Sequence, residues 1–387
     1  MSKTFVELGV AAPIVAALDA IGISETFPIQ EMTIADALAG RDVCGKAKTG
    51  SGKTLAFGIP AAQLLSVAKK GQIGAVILVP TRELATQVFN ELEPLAKAVG
   101  VTSLAVYGGA DIEKQIAKLN KGVELVVATP GRMIDLMDRG VVEVGQVSLA
   151  IIDEADRMAD MGFLPQVEWI LRRVEGVHQT LLFSATLDGA IDGLVTRYQN
   201  DPVRHEVEAK EVTVEEMVHR FVTVHEMDRT KVVAAIVNST KRTMVFCNTK
   251  RACDRLANDL DRLGVAAQAI HGDLRQRQRE KALRDFSEGR TQALVATDVA
   301  ARGIHVDDVD VVLHFNPPDD HKTYLHRSGR TARAGGSGVA VTLVLWNEEL
   351  EVKRMQKRLA LDIPIVEMFS NDSRLGDLAG WDPTAVA

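Results

Sequence analysis

From residue 42 onward the chain repeats one pattern: three to five apolar residues, a stop at polar or small residues, then a stretch with helical spacing. Apolar runs stand at 76–79, 125–128, 149–152 and 181–183. Runs this short without alternation suit strands of a parallel sheet that is covered on both faces. Helical patterns at 83–99 and 112–119 lie between them, which predicts a doubly wound α/β sheet. A second set follows at 244–247, 266–270, 293–296, 309–315 and 339–345, with helical spacing at 251–263. The stretch 201–216 carries Pro202 and mixed charge, has no strong period, and reads as a hinge. The expected layout is two tandem doubly wound domains, 1–205 and 217–366, joined by a linker at 206–216 and followed by a short acidic tail at 367–387.

In open α/β sheets ligands bind beyond the carboxyl ends of the strands, and the polar signatures of this chain fall there. The run AKTGSGKT, comprising Ala47, Lys48, Thr49, Gly50, Ser51, Gly52, Lys53 and Thr54, follows the apolar pair Val43 and Cys44 and matches a phosphate-binding loop. Backbone N–H groups of such a loop, and of the helix it opens, face a phosphate; Lys53 adds a point charge and Thr54 a hydroxyl for Mg²⁺. A hundred residues on, Asp153, Glu154, Ala155 and Asp156 follow another apolar run. Carboxylates at the end of a buried strand are costly unless they meet a cation, so Asp153 is expected to hold Mg²⁺ and Glu154 to orient or deprotonate an attacking water. Both signals occur in the order that a P-loop nucleotidase requires.

Composition adds limits. The chain has 387 residues, long for one domain and suited to two. Hydrophobic residues make up 46% and charged residues 25%, an ordinary globular balance. No run approaches the length of a spanning helix and the start lacks the apolar core of a secretory signal, so a cytoplasmic protein away from the membrane is expected. Cys44, Cys247 and Cys253 form neither a CxxC pair nor a metal spacing and read as reduced core thiols. A net charge of -7 argues against bulk capture of nucleic acid but leaves room for a local basic groove.

With these motifs in place, the chain resembles the DEAD-box ATP-dependent RNA helicases over roughly residues 5–344. The resemblance rests on an ordered series: GISETFPIQ (22–30), the phosphate loop, PTREL (80–84), Gly108 and Gly109, TPGR (129–132), the acidic tetrapeptide, SAT (184–186), HGD with QxxR (271–279), ATDVAARG (296–303) and HRSGRTAR (326–333). It implies two RecA-like domains, an RNA-dependent ATPase and helicase activity, ATP and Mg²⁺ as cofactors, and a monomer that grips RNA by its backbone. Gln30 would then read the adenine edge, with Ile23 beside it, and Phe5 is either the family's upstream aromatic or a plain core residue. Ser184, Thr186, Asp156 and His326 would couple nucleotide state to the domain interface. Arg330 and Arg333 match the arginine-finger positions, which reach the γ-phosphate once the domains close. Arg82, Gly108, Gly109, Thr129, Arg132, Gln276, Arg279, Thr297, Asp298 and Arg302 are the expected RNA contacts. Glycines, small residues and arginines suit phosphates and have little capacity to read bases.

Several positions depart from the family pattern: Ile23 stands where an aromatic is usual, Thr26 and Phe27 replace Pro-Thr, His305 replaces an aspartate and Ala332 a glycine. No phosphate ligand or catalytic carboxylate is lost, so altered ATP affinity with intact chemistry is expected. Two rival activities stay open at this point: a non-unwinding ATP-dependent RNA clamp, and a DNA-directed helicase of the same superfamily.

Overall fold

A computed structural model of the chain describes residues 3–47, 50–65, 71–176, 178–187, 189–207, 217–301, 309–331 and 338–386. It divides into two units, Met1–Ala209 and Lys210–Ala387. The strands of the first are β1 (Val43–Lys46), β2 (Ala75–Leu78), β3 (Ser103–Val106), β4 (Leu125–Ala128), β5 (Leu149–Ile152), β6 (Gln179–Ser184) and β7 (Val203–Glu206). Its helices are α1 (Ala12–Ala20), α2 (Pro28–Leu38), α3 (Lys53–Leu65), α4 (Arg82–Ala98), α5 (Ile112–Leu119), α6 (Pro130–Asp138), α7 (Ala155–Asp160), α8 (Leu164–Leu171) and α9 (Ala190–Tyr198). Every strand pair is parallel, in the order β3-β4-β2-β5-β6-β1-β7.

The second unit repeats the plan with β8 (Val218–Thr223), β9 (Thr243–Phe246), β10 (Ala267–Ile270), β11 (Ala293–Ala296), β12 (Val311–His314), β13 (Val339–Val344) and β14 (Ile365–Glu367). Helices α10 (Arg229–Asn238), α11 (Lys250–Arg262), α12 (Gln276–Ser287), α13 (Asp298–Ala301), α14 (His321–Ser328) and α15 (Glu349–Arg358) connect them. This sheet is also parallel, in the order β10-β11-β9-β12-β13-β8-β14. The α/β class and the repeat expected from the apolar runs are therefore present in both halves.

The period of two along each strand feeds two cores. On β5, Leu149 and Ile151 pack on one face while Ala150 and Ile152 pack on the other. On β9, Val245 faces one core and Met244 and Phe246 the opposite one. Each fully buried side chain of this size stabilises the fold by about 2 kcal/mol. Helix starts are set by side-chain caps: Thr81, Thr249 and Asp320 accept backbone N–H groups at the first turns of α4, α11 and α14. Such caps put the strand-end motifs at a defined place. Among the described residues no helix is long and apolar enough to cross a membrane.

One segment differs from the expectation, and the tail shows packing that the sequence left open. Residues 203–206, read as part of a hinge, form the edge strand β7 beside β1, and Glu206 pairs with Lys46. An edge strand that alternates half-buried and exposed positions shows no apolar run, so its signal was hidden. Residues 208–216 of the expected linker lie outside the described residues. The acidic tail, in turn, packs on its unit: β14 pairs with β8, and Met368, Leu375 and Leu378 are buried. Arg220 secures it, donating to the carbonyls of Ala379 and Trp381 at 3.2 and 2.7 Å, with its guanidinium over the Trp381 ring.

Candidate nucleotide and nucleic-acid site

On the first sheet the motifs separate by strand. The phosphate loop, the acidic tetrapeptide and SAT follow β1, β5 and β6, which are neighbours; PTREL, the glycine pair and TPGR follow β2, β3 and β4, also neighbours. The two groups meet where β5 adjoins β2.

In the loop, Gly50 and Gly52 have φ of 81° and 84°, a left-handed conformation that a side chain rarely adopts. Gly52 also has no room for one, since a Cβ would lie 2.4 Å from Gln30 Nε2. Lys48 and Thr49 lie outside the described residues. Ala47 and Lys53 are buried, and Lys53 Nζ donates to the Ala47 carbonyl at 2.7 Å, so the amine is held at the mouth of the loop by the strand that feeds it. Ser51 and Thr54 are half-buried. The Thr54 hydroxyl bonds the Glu91 carboxylate of α4, whose pKa is raised by burial and lowered by that bond, the burial prevailing.

Gln30 is fully buried on α2. Its carbonyl oxygen accepts the Phe27 N–H at 2.9 Å and its amide nitrogen donates to the Gly52 carbonyl at 2.9 Å. Each end of the amide keeps one further hydrogen-bonding site. Ile23 packs half-buried against the same core as Phe5, which is 3% exposed.

Asp153 is 3% exposed at the end of β5. Burial pushes its pKa up, opposed by the charge of Lys53 and reinforced by Glu154. Its Oδ1 accepts the Glu154 N–H at 2.9 Å. Glu154 itself has φ 51° and ψ 49°, a left-handed conformation that costs an L-residue about 1 kcal/mol. Its carboxylate is held by Arg157 Nη1 at 2.6 Å. Two carboxylates with nearby cations at the base of a phosphate loop form a place where a divalent cation would relieve the buried charge of Asp153.

Behind them, Asp156 and Ser184 clasp reciprocally. The Asp156 N–H donates to Ser184 Oγ at 3.1 Å, and the Ala185 N–H donates to Asp156 Oδ2 at 3.2 Å. Thr186, placed with them in the sequence reading, is exposed.

At the other half of the sheet, Arg82 and the glycine pair are brought together: a Cβ on Gly109, whose φ is 81°, would lie 2.5 Å from Arg82 Nη1. Gly108 is open to solvent. Arg132 donates to Gln115 Oε1 at 3.0 Å and to the Ala110 carbonyl, tying the TPGR turn to the glycine loop. Thr129 stands just before α6 without a side-chain capping bond, its N–H bonded to the Val106 carbonyl of β3.

In the second unit, Arg327 is the organising residue. It is 2% exposed on α14 and holds Asp298 with Nε and Nη2, both at 2.7 Å. It also donates to the Asn316 carbonyl and to Asn248 Oδ1, so it joins the ends of β9, β11 and β12. Thr297 and Arg279 are buried, Gln276 donates to Glu280 at 2.8 Å, Arg330 is half-buried and His326 exposed. Arg302, Arg333, His305 and Ala332 lie outside the described residues.

The sequence reading did not single out Arg327, Arg157, Glu91 or Gln115. Arg157 follows the acidic tetrapeptide and carries the one signal available, a cation next to a carboxylate motif, whereas Arg327 lies inside HRSGRTAR with its partners far off in sequence. Glu91 and Gln115 sit within helical spacing and carry none.

A DEAD/DEAH box helicase family model matches residues 27–193, and a helicase conserved C-terminal domain model matches residues 228–335. A DEAD-box ATP-dependent RNA helicase CshA of Geobacillus kaustophilus is 42% identical over 365 residues, covering 92% of this chain and 78% of that protein. Among solved structures, S. cerevisiae Dbp5 bound to RNA and ADP BeF3 aligns with a TM-score of 0.80 at 29% identity, over 96% of this chain and 97% of that one. Mss116p bound to ssRNA and AMP-PNP aligns with a TM-score of 0.81 at 27% identity, over 97% and 81%.

Proposed function

The chain belongs to the DEAD-box ATP-dependent RNA helicases, and from that premise we propose that it hydrolyses ATP when single-stranded RNA draws its two units together, opening short duplexes locally. The observation that carries this reading is the division of the first sheet, with nucleotide motifs after β1, β5 and β6 and phosphate-gripping residues after β2, β3 and β4. The two groups adjoin where β2 meets β5, with β4 and β3 standing two and three strands from β5.

Lys53 and the N-terminus of α3 bind the triphosphate. The buried Asp153 and the Thr54 hydroxyl suit Mg²⁺ and would hold it, where it would screen the phosphate charge. Glu154, fixed by Arg157, takes the proton of the attacking water. Arg330 and Arg333 meet the γ-phosphate on closure, which makes hydrolysis depend on both units. Arg82, Gly108, Gly109, Thr129 and Arg132 of the first unit, with Gln276, Arg279, Thr297 and Arg302 of the second, take the RNA backbone without reading sequence. Asp298, locked by Arg327, shapes that surface from behind.

Closure on a bent single strand disfavours the A-form helix, so its partner strand is released. Each base-pair step costs about 1 to 2 kcal/mol, which lets a short duplex fall apart after local opening but not a long one. Single-turnover strand release on duplexes of increasing length, with a trap strand, tests this. Rates should fall steeply with duplex stability. Length-independent release contradicts local opening, and ATP-dependent retention on RNA without any release would make the protein a clamp.

A further inference from the structure

We propose that Phe27 is the residue on which the adenine ring of the nucleotide stacks. The inference rests on the reading of residues 47–54 as the triphosphate site.

Phe27 is 50% exposed, the one aromatic among the large hydrophobic residues that the described part of the first unit leaves in solvent. Its ring lies against the phosphate loop: Cδ2 and Cγ are 3.0 and 3.1 Å from the point where a Cβ on Gly52 would stand. An apolar ring held in water beside a phosphate-binding turn is covered as soon as the non-phosphate end of a nucleotide lies over it.

The backbone that carries the ring is also tied to the loop beforehand. The Phe27 N–H donates to Gln30 Oε1, and Gln30 Nε2 donates to the Gly52 carbonyl, so one buried amide ties the backbone of Phe27 to the loop. The donor and acceptor that this amide retains are a short distance from the same ring. A purine whose phosphates sit on the loop would therefore find a flat apolar face at Phe27, carried on backbone that the buried Gln30 amide ties to the loop. The other candidates for stacking in this region are already used: Phe5 is 3% exposed within the core, Phe57 and Phe183 are fully buried, and Ile23 is aliphatic and packed on the core. The departure of position 27 from the family pattern thus offsets the departure of position 23.

The test measures binding of ATP and of tripolyphosphate, without RNA, to the intact chain and to Phe27→Ala, Phe27→Trp and Lys53→Ala. Stacking on an aromatic ring corresponds to roughly a tenfold affinity change. Phe27→Ala should weaken ATP by about that factor and leave tripolyphosphate unchanged, while Phe27→Trp should bind ATP at least as well as the native chain. The proposal is overturned if Phe27→Ala binds ATP normally, or if it loses ATP and tripolyphosphate equally, since the ring then only shapes the loop. Lys53→Ala separates the two readings. It should weaken both ligands; unaltered binding there would refute the triphosphate site itself, whatever the Phe27 variants do.

Discussion

Arg327 grips Asp298 through two parallel bonds of 2.7 Å while almost wholly removed from solvent. A guanidinium fork on a carboxylate is stronger and more directional than a point charge, and here it sets how α14 meets the end of β11. Arg330 follows three residues later, so its position depends on this clamp. Arg327→Lys keeps the charge and loses the fork. It should destabilise the second unit by about 2 kcal/mol, and ATP binding to the first unit should be unchanged. Chemical denaturation alongside nucleotide titration checks both; an unaltered midpoint would show the clamp to be dispensable.

Glu154 combines a left-handed backbone with a buried carboxylate paired to Arg157. Strain of this kind persists when the surroundings hold a residue in place for chemistry. Glu154→Gln retains shape and one acceptor but cannot take a proton. Hydrolysis should slow by about 100-fold or more while ATP and RNA binding persist. Single-turnover hydrolysis beside equilibrium binding tests this, and normal turnover would remove Glu154 from the proton-accepting role.

The clasp between Asp156 and Ser184 links the loop that carries Glu154 to the loop after β6. Ser184→Ala removes the acceptor for the Asp156 N–H and leaves Lys53 and Glu154 untouched. Strand displacement per ATP hydrolysed should drop several-fold, with ATP hydrolysis itself retained. An equal loss of both would mean that the clasp only supports the catalytic loop.

Much of this architecture is legible in the sequence, because buried parallel strands are apolar throughout. Val76, Val126, Ile151 and Val295 mark β2, β4, β5 and β11 on that ground alone. The strands that escape are those with polar members. β8 carries His219 and Arg220, which are buried yet partnered, His219 by the Tyr324 hydroxyl at 2.7 Å and Arg220 by carbonyls of the C-terminal segment. Their partners lie more than a hundred residues away, so no local pattern announces them. β3 begins with Ser103, and β7 and β14 are edges with alternating exposure. Arg327 escapes for the same reason as β8: its ligands at 248, 298 and 316 come together only in the folded sheet.

His314 supplies a pH dependence of stability. It is fully buried at the end of β12, bonded through Nδ1 to Thr342 Oγ1 at 2.9 Å, with Tyr324, His219 and Arg327 around it. Burial chiefly, then the charge of Arg327 and the neighbouring His219, hold its pKa well below 6.5. The folded state therefore stays neutral where the unfolded state binds a proton. Its contribution is complete above about pH 6.5 and is lost as pH falls from there toward the folded-state value, at up to about 1.4 kcal/mol per pH unit. His314→Leu should flatten that slope. Thermal unfolding of both proteins between pH 7.5 and about 5.5 measures the difference, and parallel profiles would assign the acid lability to other groups.

The central claim is that RNA switches on ATP hydrolysis by uniting residues of two units on one nucleotide. Its most direct test is the steady-state ATPase rate of the intact chain, at saturating ATP and Mg²⁺, with and without single-stranded RNA and with DNA of the same sequence. RNA should raise turnover by about tenfold or more, as expected when an arginine completes a phosphoryl-transfer site, and DNA should do little. Turnover that is equally fast without RNA would contradict the account.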